Sequence, residues 1–88
     1  MTVDQEWFVY ALYSQKHNRI YIGMSQFPEK RLTQHNNGQV KSTKAFRPWV
    51  IIFKEKTKDR SKARKREVEL KTSQGRRFIR KLIAPSSV

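Results

Sequence analysis

Eighty-eight residues make one small domain, enough to bury roughly 60–65% of the unfolded surface around a single core with one shallow site. Twenty Lys and Arg against seven Asp and Glu give a formal net charge of +13, a self-repulsion that a polyanion compensates, nucleic acid being the first candidate. The chain has no cysteine, so no disulfide framework or thiolate metal site, and no apolar run approaches the length of a membrane span.

The opening stretch MTVDQEWFVY has no basic region followed by an apolar one, so no signal peptide is expected. The absence of cysteine and of membrane signals fits a cytoplasmic, nucleoid-associated protein. The charge is uneven: residues 1–53 hold seven basic and three acidic side chains, residues 54–88 thirteen and four.

Residues 7–14, WFVYALYS, are aromatic and β-rich and read as a strand. QKHN is turn material, and RIYIGM at 19–24 reads as a second strand, closing a hairpin. A two- or four-residue link places Tyr10 and Tyr21 on one face, and a three-residue link places them on opposite faces. The glycine inside this strand marks a bulge or a close backbone or ligand approach. Pro28 suits a first helical position, and PEKRLTQHNNG reads as a helix of about two to three turns stopped at Asn36-Asn37-Gly38. QVKSTKAFRP is a basic loop. Residues 48–55, PWVIIFKE, read as a third strand whose continuous apolar run predicts burial on both faces. Asp59 or Ser61 caps a helix running to about Thr72, and Ser73 caps a last helix with an apolar stripe of Phe78, Ile79, Leu82 and Ile83. The tail APSSV reads as frayed. The expected fold is α+β, ββαβαα, a three-stranded antiparallel sheet flanked by about three helices, in a single domain over 1–88 with its core at about 7–83.

On the helix beginning near Asp59, Ala63, Glu67 and Leu70 fall within one inward stripe, in steps of 40° and 60°, while Glu69 points away. A carboxylate facing inward is paired with a cation or holds a metal. Arg31 and His35, four apart, share a helix face. They read either as a solvated face with a histidine suited to the helix C-terminus or as a phosphate-binding arginine beside a proton relay. Tyr10 and Tyr21 are either cross-strand packing or hydroxyls presented to a ligand. No phosphate-binding GxxxxGK[ST] loop, HExxH or GxSxG motif is present, and two histidines are too few for a zinc site.

FVY at 8–10, YIG at 21–23, RLTQHNNG at 31–38, RPW at 47–49 and ARKREVELK at 63–71, in this order, resemble the GIY-YIG nuclease superfamily. The resemblance spans about residues 7–83 and is to the small single-domain bacterial type, similar to the catalytic domain of the repair nuclease subunit UvrC. It implies a metal-dependent endonuclease that hydrolyses DNA phosphodiester bonds, with Mg²⁺ or Mn²⁺ as cofactor and double-stranded or branched DNA as partner. By that resemblance Tyr10 is the general base or orients the attacking water, and Tyr21 contacts the scissile phosphate or its water. Gly23 lets a phosphate approach. Arg31 stabilises the developing charge, His35 assists proton transfer, and Glu67 is the sole carboxylate metal ligand. Lys44, Arg47, Arg64, Lys71, Arg76 and Arg77 are the expected contacts to the nucleic-acid backbone. The chain departs from the family pattern in three places: Phe8 replaces the first glycine, Met24 stands where UvrC-like members carry a lysine, and Ser73 and Gln74 do not match the polar residue of the last helix region. A second reading, from the same charge, is a DNA- or RNA-binding module with little or no cleavage. A third is a basic structural protein.

Overall fold

The structure is a computed structural model that describes residues 6–83. The APSSV tail and the first five residues lie outside them. Three strands form an antiparallel sheet in the order β2-β1-β3, with β1 at Trp7–Ser14, β2 at Arg19–Ser25 and β3 at Val50–Thr57. The helices are α1 at Pro28–Asn36, α2 at Arg60–Leu70 and α3 at Ser73–Ile83, with a short 3₁₀ turn at Lys44–Phe46.

The hairpin link is Gln15–Asn18, four residues. Asn18 takes a left-handed conformation (φ 53°), which its short polar side chain tolerates. The register sets Tyr10 opposite Gly23 and Leu12 opposite Tyr21. Side chains two apart share a face, so the two tyrosines are diagonal neighbours on the same side.

That alternation divides the core into two layers. Val9 and Ala11 of β1 join Ile22, Ala63, Leu70 and Ile79 beneath α2 and α3. Tyr10 and Leu12 join Trp49, Tyr21, Leu32 and Ile51 on the α1 side. The strand in the middle of the sheet feeds both layers, and every one of Val9, Tyr10, Ala11 and Leu12 is buried.

β3 corrects one expectation. It begins two residues later than the sequence suggests and lies at an edge, with no fully buried residue; Val50 is 54% exposed. The pairing shifts between Ala11, opposite Phe53, and Leu12, opposite Ile51. Ile52 is the extra residue of a β-bulge. Consecutive Ile52 and Phe53 therefore both pack on the α2–α3 layer, while Ile51 packs on the other. The apolar run thus packs on both faces, but only partly buried, as an edge strand bent by this bulge.

Pro28 starts α1. The helix stops where Gln39 N–H bonds to Gln34 O at 3.0 Å and Gly38 N–H to His35 O at 3.1 Å, with Gly38 at φ 79°. This is the left-handed glycine stop that Asn37-Gly38 announces. Asp59 caps α2 by accepting the Lys62 amide at 2.9 Å. α2 ends at Leu70, two residues early, because Thr72 rather than Ser73 caps α3: its hydroxyl accepts the Gly75 amide at 3.1 Å and donates to Glu69 O at 2.7 Å. The corner is tight enough that a Cβ on Gly75 would fall 2.4 Å from the Glu69 carbonyl oxygen. Of the α3 stripe only Ile79 is fully buried; Phe78 and Leu82 are 42% and 48% exposed, Phe78 meeting Phe53 edge to face.

Candidate active site

Tyr10 projects from β1 toward α1, 1% exposed. A Cβ at Gly23, directly opposite, would lie 2.7 Å from its hydroxyl oxygen and 2.8 Å from Cζ. The space the glycine leaves is thus filled by the tyrosine itself. What the missing side chain accommodates here is the end of the Tyr10 ring.

The phenol ends 3.3 Å from His35 Nε2. His35 comes from the last turn of α1 and is fully buried. Its other nitrogen, Nδ1, lies 2.8 Å from Thr43 Oγ1. Tyr21 completes the aromatic group, with its ring centroid 4.8 Å from His35 and 6.4 Å from Tyr10. Burial pushes the Tyr10 phenol up to about 12, with Tyr21 adding to the rise and Arg31 opposing it. Burial, aided by the Arg31 charge, pulls His35 down to about 4. The pair is therefore a neutral phenol against a neutral imidazole across the physiological range.

Arg31, one turn before His35, faces an open cleft of about 950 Å³ and donates to Gln34 Oε1 at 2.7 Å. The cleft lies where β2 leaves the sheet. Trp7, Met24 and Phe27 line it on one side, Arg60, Arg64 and Glu67 of α2 on the other. Glu67 sits on the inward stripe between Ala63 and Leu70, as the helix geometry requires, and its side chain is 10% exposed. It is ion-paired at both oxygens, Oε1 to Arg64 Nη1 at 2.8 Å and Oε2 to Lys71 Nζ at 3.4 Å.

Residues 6–81 match the model of the GIY-YIG catalytic domain. The chain belongs to the GIY-YIG family. UPF0213 proteins of Staphylococcus saprophyticus and Staphylococcus haemolyticus are 43% and 40% identical to it over 58 residues, 65% of this chain and 71% of each relative. A UPF0213 protein of Desulfotalea psychrophila is 33% identical over 67 residues, 74% of this chain and 60% of the relative. No solved structure matches. Membership gives the general class, a nuclease-type hydrolase domain acting on DNA, in a family whose nucleases use divalent metals. Among the described residues no helix is long and apolar enough to cross a membrane.

The GIY-YIG residues fall in two groups. Tyr10, Tyr21 and His35 form the buried aromatic cluster, while Arg31 and Glu67 face the cleft beside it. Met24 also lines the cleft and packs on the Val9–Ala11 layer. The basic candidates scatter. Arg64 and Lys71 hold Glu67. Lys44 and Arg47 are exposed on the loop after α1, where Arg47 Nε donates to Lys44 O at 2.8 Å. Arg76 and Arg77 are exposed on α3, Arg76 lining a concavity at the hairpin tip with His17, Arg19 and Arg80.

Several site residues escaped the sequence. Trp7, Phe27 and Arg60 line the cleft, and Arg60 lies over the Trp7 ring at 5.6 Å. Phe27 had a signal, an aromatic residue immediately before a helix-starting proline. Thr43 had none, because a threonine in a polar loop is indistinguishable from its neighbours.

Among the described residues no group of three His, Asp or Glu side chains could cage a metal. Glu67 nevertheless suits a divalent cation held in the manner of Mg²⁺, which keeps most of its water and takes one or two carboxylates plus substrate oxygens. It is the one acid lining the cleft among the described residues, and the partner at its Oε1, Arg64, is 65% exposed.

Proposed function

We propose that this protein is a Mg²⁺- or Mn²⁺-dependent endonuclease that hydrolyses DNA phosphodiester bonds, with double-stranded or branched DNA as its substrate. The observation that carries the reading is the Tyr10–His35 hydrogen bond at 3.3 Å, next to a cleft that Arg31 and Glu67 share. A buried phenol facing a buried neutral base is a proton-transfer arrangement, and an arginine at the same cleft is suited to charge developing on a phosphate. Bound at Glu67, the metal would supply charge neutralisation on the phosphoryl oxygens.

In this reading Tyr10 orients the attacking water and accepts its proton, with Tyr21 alongside. Arg31 pairs with the phosphate oxygens. Lys44, Arg47, Arg76 and Arg77 grip the backbone on either side.

The test is cleavage of branched, nicked and linear DNA with Mg²⁺ or with EDTA, using the native protein, Tyr10→Phe, Arg31→Ala and Glu67→Ala. Metal-dependent cutting that falls at least a hundredfold in each variant supports the assignment. Cutting that persists in EDTA or in Glu67→Ala overturns the metal site. The double ion pairing of Glu67 favours a second reading, a nucleic-acid-binding module in which that carboxylate is structural. Tight binding without cutting on every substrate selects it.

A further inference from the structure

His35 is held by a closed circuit. Its Nδ1 meets Thr43 Oγ1 at 2.8 Å. The Thr43 carbonyl accepts the Trp49 indole N–H at 3.0 Å. Trp49 is tied back to the neighbour of His35: its amide donates to Asn36 Oδ1 at 2.7 Å, and its carbonyl accepts from Asn36 Nδ2 at 3.0 Å. The circuit clips the loop after α1 against the helix and buries Thr43 to 1% exposure.

Thr43 Oγ1 also lies 3.3 Å from the Val40 carbonyl oxygen. A carbonyl oxygen only accepts, and a hydroxyl has one proton to donate. If that proton points to Val40 O, Oγ1 presents a lone pair to His35, and Nδ1 carries the imidazole hydrogen. Nε2 is then bare and accepts from Tyr10 Oη. In this assignment all three contacts are hydrogen bonds. The reverse assignment sets two oxygen lone pairs against each other between Thr43 and Val40.

We propose that Thr43 is a positioning residue that fixes His35 in the Nδ1–H tautomer, so that Nε2 is the acceptor for the Tyr10 hydroxyl proton. The proposal rests on the nuclease reading for its kinetic consequence and not for its geometry. As the water oxygen bonds to phosphorus, its proton passes to Tyr10 Oη while the proton of Tyr10 passes to Nε2. The bond to the leaving oxygen breaks with its electron pair, and that oxygen takes a proton from solvent. The proton on Nε2 returns through Tyr10 to water. No free phenolate is formed, which suits a phenol whose burial opposes ionisation, and the imidazolium exists only in passing, because burial and the Arg31 charge return His35 to its neutral form. In the other tautomer Nε2–H donates to Tyr10, and this exit for the proton is closed.

The experiment measures the two ring-nitrogen shifts of His35 by long-range proton–nitrogen correlation in ¹⁵N-labelled protein near pH 7, for the native chain, Thr43→Ser and Thr43→Val. Single-turnover cleavage at saturating DNA is measured in parallel. The native protein and Thr43→Ser show a protonated Nδ1 and a bare Nε2. Thr43→Val moves the proton to Nε2 or to a mixture, and the single-turnover rate at saturating DNA falls at least tenfold. A native spectrum with the proton on Nε2 overturns the proposal, as does an unaltered tautomer in Thr43→Val. If Thr43→Val does not fold, the native and Thr43→Ser spectra decide. If the native protein does not cleave DNA, the nuclease reading fails while the spectra still answer for Thr43.

Discussion

At the scale of single residues, the site depends on two exclusions, a side chain from Gly23 and a proton from His35. Gly23→Ala places a methyl against the Tyr10 phenol, whose ring is enclosed and has nowhere to retreat. Overpacking of this kind costs about 1–3 kcal/mol. The variant should melt earlier and lose the Tyr10–His35 geometry, a joint loss that thermal denaturation and a cleavage assay read together. The histidine gives a pH signature. Its native pKa, about 4, lies below the ordinary value of about 6.5. Between these values the unfolded chain binds a proton that the folded chain refuses, so stability is complete above about pH 6.5 and is lost as pH falls toward 4. At about 1.4 kcal/mol per unit the total is at most about 3.5 kcal/mol. Denaturant titrations across that range should show the slope in the native protein and a flatter profile in His35→Gln.

At the scale of elements, what joins α1 to the loop after it is a pair of hydrogen bonds from one side chain. Asn36→Ala removes both partners of the Trp49 backbone, whose side chain is 3% exposed. Leaving such groups unpaired costs about 1–3 kcal/mol each. Chemical denaturation should register that loss, and the circuit that holds His35 should loosen with it, whereas Asn36→Asp, which keeps the acceptor for the Trp49 amide, should lose less. These elements differ in how plainly the sequence announced them. β1 and the start of α1 could be read to the residue, and the end of α1 to within two, because a β-rich run and a Pro-to-Asn-Gly helix carry their own start and stop signals. The inward position of Glu67 followed from angular spacing alone. The bulge in β3 was hidden, since an apolar run of four looks the same whether it is buried on two faces or bent around one extra residue. The stripe on α3 pointed correctly at Ile79 and overstated the rest, because that helix packs on α2 and the edge strand β3 and leaves Phe78 and Leu82 half exposed. The Thr43–Trp49–Asn36 circuit was illegible, being made of contacts across a loop with no periodic pattern.

At the scale of the whole molecule, the carboxylates among the described residues are all engaged. Glu6 pairs with Lys56, Glu29 with Lys54, Glu55 and Glu69 with Arg66, Glu67 with Arg64 and Lys71, and Asp59 caps α2. The hairpin tip, the loop after α1 and the whole of α3 carry no acidic residue. There Arg19 stacks on Phe46 at 4.1 Å, and Arg80 holds Asn18 at 2.7 Å. DNA binding should therefore weaken steeply with salt, and Arg76→Gln with Arg80→Gln should reduce the log–log slope by about 0.9 for each phosphate no longer neutralised. The cleavage rate at saturation should not change. Anisotropy titrations over a range of salt measure the slope, and an unaltered slope removes this end of the molecule from the path of the DNA. The central place of β1 has its own consequence. It is the one strand hydrogen-bonded on both sides among the described residues, and its buried Val9, Tyr10, Ala11 and Leu12 anchor both layers of the core. Its amides belong to the class that exchanges with solvent only when the entire domain opens. Tyr10 is carried on that strand, so no partial fluctuation of a lid or tail dismantles its position, and its place in the sheet lasts as long as the fold.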